Sequence, residues 1–261
     1  MIYHTYLDNR YKEDQVKQML SANSSSKTIK NFITDDEVAL LRKQINKVKY
    51  AEIGKTSKYH GASYADTTGV VLKKIFHERI KKLIGEYELD FFAWQEAITP
   101  WKIHADIRWY ADKLPYKVIL VPLDVISEQE SWKDTYTFTF KQRDYLEANR
   151  NTGKGQKANT DQSTWKRPYD NPGTKHLCEG YKISKDEHKK YFSHMPYEFL
   201  KGLEIDNMFK WTPGSCVIWD QNQLHCADNF LQNNIQTKKS LIFFTNQAKS
   251  QSWHYHVSVV Q

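Results

Sequence analysis

From Leu89 onward the chain consists of short runs that are either apolar or alternating. The run 135–140, Thr-Tyr-Thr-Phe-Thr-Phe, alternates at every position, as a strand does when one of its faces is wet. No run reaches the eighteen apolar residues that a membrane-spanning helix needs. The pattern predicts a mostly β body, with further strands at 89–98, 117–125, 216–220, 241–245 and 253–260.

Two helices are predicted before these strands. Thr34 and Glu37 form a capping box, and apolar residues follow at helical spacing, which predicts a helix over 35–48. A second periodic stretch, 70–86, places its apolar side chains near one side and most of its Lys and Arg on the other. Residues 31–88 are therefore predicted to be a helical support.

The remaining segments complete a single predicted domain, 1–261. The polar segment 1–30 has linker chemistry and is predicted to be a loose arm with one short helix. The core is predicted at 89–126 and 206–261, interrupted by an insertion at 127–205. Within the insertion, a capping box of Ser184 and Glu187 predicts a short helix, and Pro196 is well placed to start another. Residues 149–164 are loop-like.

The composition of the chain excludes several classes of protein. The chain is 39% hydrophobic and 14% aromatic, which is enough for a sizeable core. Its three cysteines show no C-x-x-C spacing, which argues against a disulfide framework and a thiolate zinc site. The N-terminus lacks the pattern of a signal peptide, so a soluble, cytoplasmic protein without a membrane span is expected. The formal net charge of +7 favours an anionic ligand, but the sequence contains no recognisable nucleic-acid-binding motif.

Three residues form a candidate metal site. In an extended segment, His104 and Asp106 project from the same face and could reach one cation together. His225 follows a short apolar strand and a polar turn far downstream. Two histidines and one carboxylate, with open positions for other ligands, are the facial triad of non-haem Fe(II) oxygenases. The same donors suit Mn(II), Zn(II) or Ni(II), so the triad by itself leaves the metal open.

A lysine stands at the start of the apolar strand that follows His225 in the sequence. Lys238 and Ser240 share one face by the two-residue period. An unpaired buried ammonium is unfavourable, and a dicarboxylic co-substrate would supply its partner. A shift of one residue in register would give this position to Lys239 instead.

In their order and spacing these motifs resemble the 2-oxoglutarate and Fe(II)-dependent dioxygenase superfamily. The resemblance rests on His104-x-Asp106, the Pro213-Gly214-Ser215 turn before a strand, His225, and a basic residue opening the next strand. The leader 31–37 is similar to the helix start of its prolyl-hydroxylase-like and phytanoyl-type members.

The resemblance implies an α+β fold in which the N-terminal helices buttress a double-stranded β-helix, a jelly-roll barrel of cupin-like form. His104, Asp106 and His225 would bind Fe(II). Lys238 would hold the distal carboxylate of 2-oxoglutarate, and Ser240 would be a second contact. Dioxygen would be the remaining co-substrate.

The implied activity is oxidative decarboxylation of 2-oxoglutarate to succinate, coupled to C–H hydroxylation of a small-molecule or peptidyl substrate. The charge of the chain favours an anionic substrate. Arg108, Trp109 and Arg167 are predicted substrate contacts, and the insertion is predicted to be a lid. The alternative is a cupin-like metal-binding enzyme or ligand-binding barrel that does not use 2-oxoglutarate and needs no cation at Lys238.

Overall fold

The computed structural model describes residues 18, 21–47, 60–64, 67–106, 114–127, 134–143 and 178–248. Two antiparallel sheets and two long helices make up most of these residues, so the α+β class is confirmed. In chain order the elements are β1 (Lys27–Ile29), α1 (Asp35–Ile45), β2 (His60–Tyr64), α2 (Thr67–Ile84), β3 (Tyr87–Ala97), β4 (Pro115–Ser127), β5 (Tyr136–Arg143), α3 (Lys185–Glu187), β6 (Ile205–Lys210), β7 (Cys216–Asp220), β8 (Gln223–Ala227) and β9 (Ile235–Gln247). Single helical turns follow at His188–Phe192, Tyr197–Leu200 and Phe230–Asn233.

The helix α1 begins at the predicted capping box. The Thr34 hydroxyl accepts the Glu37 N–H at 3.3 Å, and the Glu37 carboxylate accepts the Thr34 N–H at 2.8 Å. The next residue toward the N-terminus, Ile33, donates its N–H to the Gly214 carbonyl at 3.0 Å. Gly214 has φ +83° and would place a Cβ 3.1 Å from the Ile33 oxygen, so this turn requires glycine. The leader and the Pro-Gly-Ser turn of the sequence motif therefore contact each other.

The two sheets have different sizes. The larger has six strands in the order β1-β7-β4-β9-β3-β2, and the smaller has three in the order β6-β5-β8. One face of the larger sheet packs against α1 and α2. This outer core is buried and apolar; it includes Val38, Leu41, Ile45, Phe76, Ile80, Phe92, Trp94, Ile119, Val121, Leu241 and Phe243.

The opposite face of the larger sheet is directed toward the smaller one. In β9, Leu241 and Phe243 pack on the helices, whereas Ile242 and Phe244 belong to a separate cluster with Phe209 of β6. This follows from the two-residue period of a strand. The inner cluster joins both sheets and consists of Ala93, Val118, Leu120, Phe209, Trp211, Val217, Trp219, Ile242 and Phe244.

The predicted boundary of the insertion was wrong at one point. Strand β5 lies within 127–205 but pairs with β6 and β8 as the central strand of the smaller sheet. The short helix predicted from the second capping box is confirmed as α3, and Pro196 precedes the helical turn Tyr197–Leu200 as predicted. The lid role of the rest of the range stays a prediction.

The N-terminal arm was predicted to be loose, and its last part is instead held by both sheets. Strand β1 pairs with β7. The N–H of Ser24 donates to Asp220 at 2.9 Å, and the N–H of Ser26 donates to Asp206 at 2.8 Å. Carboxylates from distant strands thus provide the contacts that the polar segment cannot obtain from apolar packing.

The predicted strands 89–98, 117–125, 216–220 and 241–245 are confirmed as β3, β4, β7 and β9: the bounds of β7 are as predicted, β3 is shifted by one or two residues, and β4 and β9 are longer than predicted. The predicted strand 253–260 lies outside the described residues. None of the helices in the described ranges is long and apolar enough to cross a membrane.

Candidate metal centre

His104, Asp106 and His225 converge as predicted. One ligand atom from each lies within 4.8 Å of the others. The two histidines form a β-bridge in which the His104 N–H donates to the His225 carbonyl at 3.0 Å and the His225 N–H donates to the His104 carbonyl at 2.9 Å. The Asp106 N–H donates to the Gln221 carbonyl at 2.8 Å. Backbone hydrogen bonds therefore hold all three ligand positions.

A second set of hydrogen bonds orients the imidazole rings. His104 Nδ1 lies 2.7 Å from the Lys102 carbonyl, and His225 Nδ1 lies 3.0 Å from the Gln223 carbonyl. A carbonyl can only accept, so each Nδ1 carries a proton, and in the neutral imidazole the lone pair is then on Nε2. This is the arrangement found around histidines that bind metals through Nε2.

The Nε2 atoms and the carboxylate face one another. His225 Nε2 lies 3.1 Å from Asp106 Oδ2, and His104 Nε2 lies 3.6 Å from Asp106 Oδ1. The side chain of His225 is 6% exposed, that of Asp106 14% and that of His104 30%, so His104 is the most exposed of the three. The Trp219 ring packs 4.8 Å from the His225 ring and covers its inner side.

The pKa shifts of His104 and Asp106 favour the forms of these two side chains that bind a metal ion. Burial, together with the charge of His225, lowers the pKa of His104 to about 4, which leaves a neutral imidazole at pH 7. Burial raises the pKa of Asp106, but the opposing charge and hydrogen bond of His225, with the charge of His104, give a net lowering. Two nitrogen lone pairs and one carboxylate at these distances fit a divalent first-row metal ion.

Lys238 lies on the inner face of the larger sheet, as the two-residue period predicts. Lys238 is 1% exposed, and its ammonium lies 4.0 Å from the centroid of the Trp211 ring. It donates a hydrogen bond to the Tyr136 carbonyl at 3.1 Å. The Asp228 carboxylate lies 3.7 Å away. The chain itself thus places a carboxylate beside this ammonium, a partner that the sequence had not indicated in addition to the co-substrate.

Lys239 and Ser240 occupy different faces of β9. Lys239 Nζ donates to the Asn46 side chain at the end of α1, at 2.9 Å, and lies 3.7 Å from Glu96. Ser240 is fully buried on the face of Lys238, and its hydroxyl donates to the Gln95 amide oxygen at 3.1 Å. The register therefore puts Lys238 and Ser240 together and directs Lys239 toward α1.

The predicted substrate contacts Arg108, Trp109 and Arg167 lie outside the described residues. Three residues near the site had not been predicted to belong to it: Gln95, Trp219 and Asp228. The alternation of β3 and β7 gives an inward direction for the first two, but nothing local in the sequence identifies Asp228 as the neighbour of Lys238.

No protein-family model matches the chain, and no curated protein matches it. Solved structures that are similar over nearly the whole chain include iron- and 2-oxoglutarate-dependent oxygenases.

Three of these structures illustrate the likeness. The epimerase SnoN, in complex with Fe3+, alpha ketoglutarate and nogalamycin RO, is 14% identical with a TM-score of 0.49, covering 91% of this chain and 85% of its own. HygX from Streptomyces hygroscopicus, with nickel and 2-oxoglutarate bound, is 11% identical with a TM-score of 0.47. The match covers 91% of this chain and 88% of HygX. A Pseudomonas putida prolyl-4-hydroxylase is 9% identical with a TM-score of 0.43. The match covers 88% of this chain and 96% of the hydroxylase. At these identities and TM-scores the likeness assigns no reaction or substrate to this chain.

Proposed function

We propose that this protein is an Fe(II)- and 2-oxoglutarate-dependent oxygenase that hydroxylates a C–H bond of its substrate. The observation that carries the proposal is the convergence of His104 Nε2, His225 Nε2 and the Asp106 carboxylate, with both Nδ1 atoms bonded to backbone carbonyls. Three protein donors leave positions of an octahedral ion open for other ligands, whereas a structural zinc site completes its coordination with a fourth protein ligand.

The co-substrate would lie between the triad and Lys238. The Lys238 ammonium has three N–H groups and, among the described residues, donates a single hydrogen bond, to Tyr136. It can therefore bind a carboxylate by a charge-assisted hydrogen bond. Ser240 lies on the same face of β9 and is the second proposed contact. This inner face would belong to a double-stranded β-helix barrel formed by the two sheets.

Each of the residues at the site has its own role in the proposed reaction. The two β-bridged histidines and Asp106 hold the ion, Trp219 keeps water from the inner side of His225, and Lys238 fixes the distal carboxylate of the co-substrate. When bound, Fe(II) supplies the redox chemistry with dioxygen. Overall, 2-oxoglutarate, dioxygen and a C–H bond give succinate, carbon dioxide and an alcohol.

The substrate is proposed to be a small molecule or a peptidyl residue. The net charge of +7 and the residues Arg108, Trp109 and Arg167 motivate a substrate that carries an anionic group. The rest of 127–205 would cover it as a lid.

The decisive experiment is anaerobic addition of Fe(II) and 2-oxoglutarate. We expect a weak visible charge-transfer band that is absent in His104→Ala. His77→Ala is the matched control, because His77 lies on α2 and bonds the Tyr87 hydroxyl. A protein that binds Fe(II) but gives no band with 2-oxoglutarate would contradict the proposal and favour the metal-binding barrel without this co-substrate.

A further inference from the structure

The strands β8 and β9 define two ends of the space between the sheets. The chain runs from His225 along β8 to Asp228, whose carboxylate lies 3.7 Å from Lys238. Strand β9 then runs back from Lys238 toward Asn246. Lys238 and Asn246 therefore lie toward opposite ends of β9.

The metal triad is nearer the Asn246 end. Trp219, which packs against His225, pairs across the larger sheet with Val118, and Val118 pairs with Phe244. Asn246 is the next residue of β9 on the face of Phe244. A co-substrate bound to Lys238 would occupy one side of the triad, which leaves the Asn246 side for the substrate.

Two buried carboxamides lie at this end. Asn246 is fully buried, and Asn222, in the turn between β7 and β8, is 3% exposed. The side-chain nitrogen and oxygen of both have no hydrogen-bond partner within the described ranges. Gln221, which precedes Asn222, bonds both the metal triad and the residue before Asn246. Its carbonyl accepts the Asp106 N–H, and its side-chain amide donates to the Thr245 carbonyl at 2.6 Å.

Buried carboxamide groups need hydrogen-bond partners. A buried amide without a hydrogen bond is unfavourable, and in native proteins it is nearly always satisfied by the chain, by water or by a ligand. Gln223, on the strand that follows the same turn, is a contrast, because its side-chain N–H groups donate to Phe140 at 2.8 Å and Asp206 at 2.9 Å.

We propose that Asn222 and Asn246 bind a neutral group of the substrate that carries a hydrogen-bond donor and acceptor side by side, such as a carboxamide or a lactam. This inference rests on the proposed function, which puts the co-substrate at the Lys238 end. A free carboxamide offers one acceptor and two donors and pairs with the edge of another amide. Both carboxamides are uncharged, so they supply no counter-charge for an anionic group of the substrate.

The first test is thermal unfolding without ligand. Asn222→Leu and Asn246→Leu replace an unpaired amide by an apolar side chain of similar shape, so each is expected to raise the unfolding midpoint by about 2–4 °C. Gln223→Leu is the matched control and should lower it, because it removes hydrogen bonds that are made. If both asparagine variants also lower the midpoint, the amides are structural groups and the inference is overturned.

The second test uses matched probes with succinate release as the readout. Nicotinamide and L-glutamine are expected to stimulate release more than nicotinate and L-glutamate, and this preference should be lost in both asparagine variants. A preference for the anions, or one unchanged in the variants, overturns the inference. Even when no probe stimulates succinate release, the unfolding midpoints show whether the two amides are unpaired or structural groups.

The charge-transfer band separates the two hypotheses. If wild-type protein gives no band, the oxygenase proposal fails, while the midpoints still test the asparagines as ligand-binding groups. If the band persists in the variants and the probe preference is lost, only substrate binding has changed.

Discussion

His104 and His225 are direct backbone partners, each donating its N–H to the carbonyl of the other at 3.0 and 2.9 Å. Two ligands that are distant in the sequence are thus fixed by one β-bridge rather than by loops. Their ring centroids lie 4.2 Å apart. A slip of one residue in this bridge would turn a ligand to the other face of the sheet, so the pairing itself maintains the metal site.

Replacing the carboxylate ligand tests the reaction class. Asp106→Ala removes the only anionic donor of the triad, and iron-dependent succinate formation should fall by more than about 100-fold, the upper range for loss of an outer-shell partner. Asp124→Ala is the control, because Asp124 pairs with Arg42 on the helix side at 3.4 Å. Succinate assays at saturating 2-oxoglutarate check this, and retained turnover in Asp106→Ala would count against the assignment.

The two neighbouring lysines should behave differently. Lys238→Ala removes the buried ammonium and should raise the 2-oxoglutarate KM by about 10- to 100-fold, the equivalent of one charge-assisted hydrogen bond. Lys239→Ala should change it little, because Lys239 contacts Asn46 and Glu96 on the other face. Initial-rate kinetics on both variants measure the difference, and the reverse ranking would assign the role to Lys239.

The buried lysine also predicts a pH dependence. Burial lowers the pKa of Lys238 to about 8, although Asp228 opposes the shift. The protonated form binds a carboxylate, so co-substrate binding should be full below pH 8 and should weaken as the pH rises through 8. Lys238→Arg stays charged over this range and should extend binding to higher pH. A KM profile that is flat from pH 7 to 9.5 in the wild type would contradict this role of the ammonium.

The contact between the arm and the sheets should contribute to stability. Asp220 is 2% exposed, forms an ion pair with Lys117, and accepts hydrogen bonds from Arg143 and the Ser24 N–H. Asp220→Ala would leave the buried Lys117 without its counter-charge, so the free energy of unfolding should fall by about 3–5 kcal/mol. Glu204→Ala, which breaks the exposed pair with Lys141, should cause no measurable change. Denaturant unfolding compares the two variants, and equal effects would show that the buried pair does not stabilise the fold.

Much of the fold was predictable because its signals are local. A capping box needs two residues three positions apart, and the boxes at Thr34 and Ser184 both begin helices. Strict alternation identified β5 as a strand, although its place at the centre of the smaller sheet was not predicted. Strand β1 escaped prediction because three residues carry no period, and its partner, β7, is distant in the sequence.

The sequence by itself determined which residues could form the metal site, since the two-residue period places His104 and Asp106 on one face and the order of motifs adds His225. Only the tertiary structure decided how these side chains meet: the β-bridge, the carbonyls that orient both rings, and the choice between Lys238 and Lys239. It also revealed Asp228 beside Lys238 and the two asparagines beyond the triad. Periodicity reports the face of an element, whereas a pairing partner depends on which distant segment packs against it, and that information is not local.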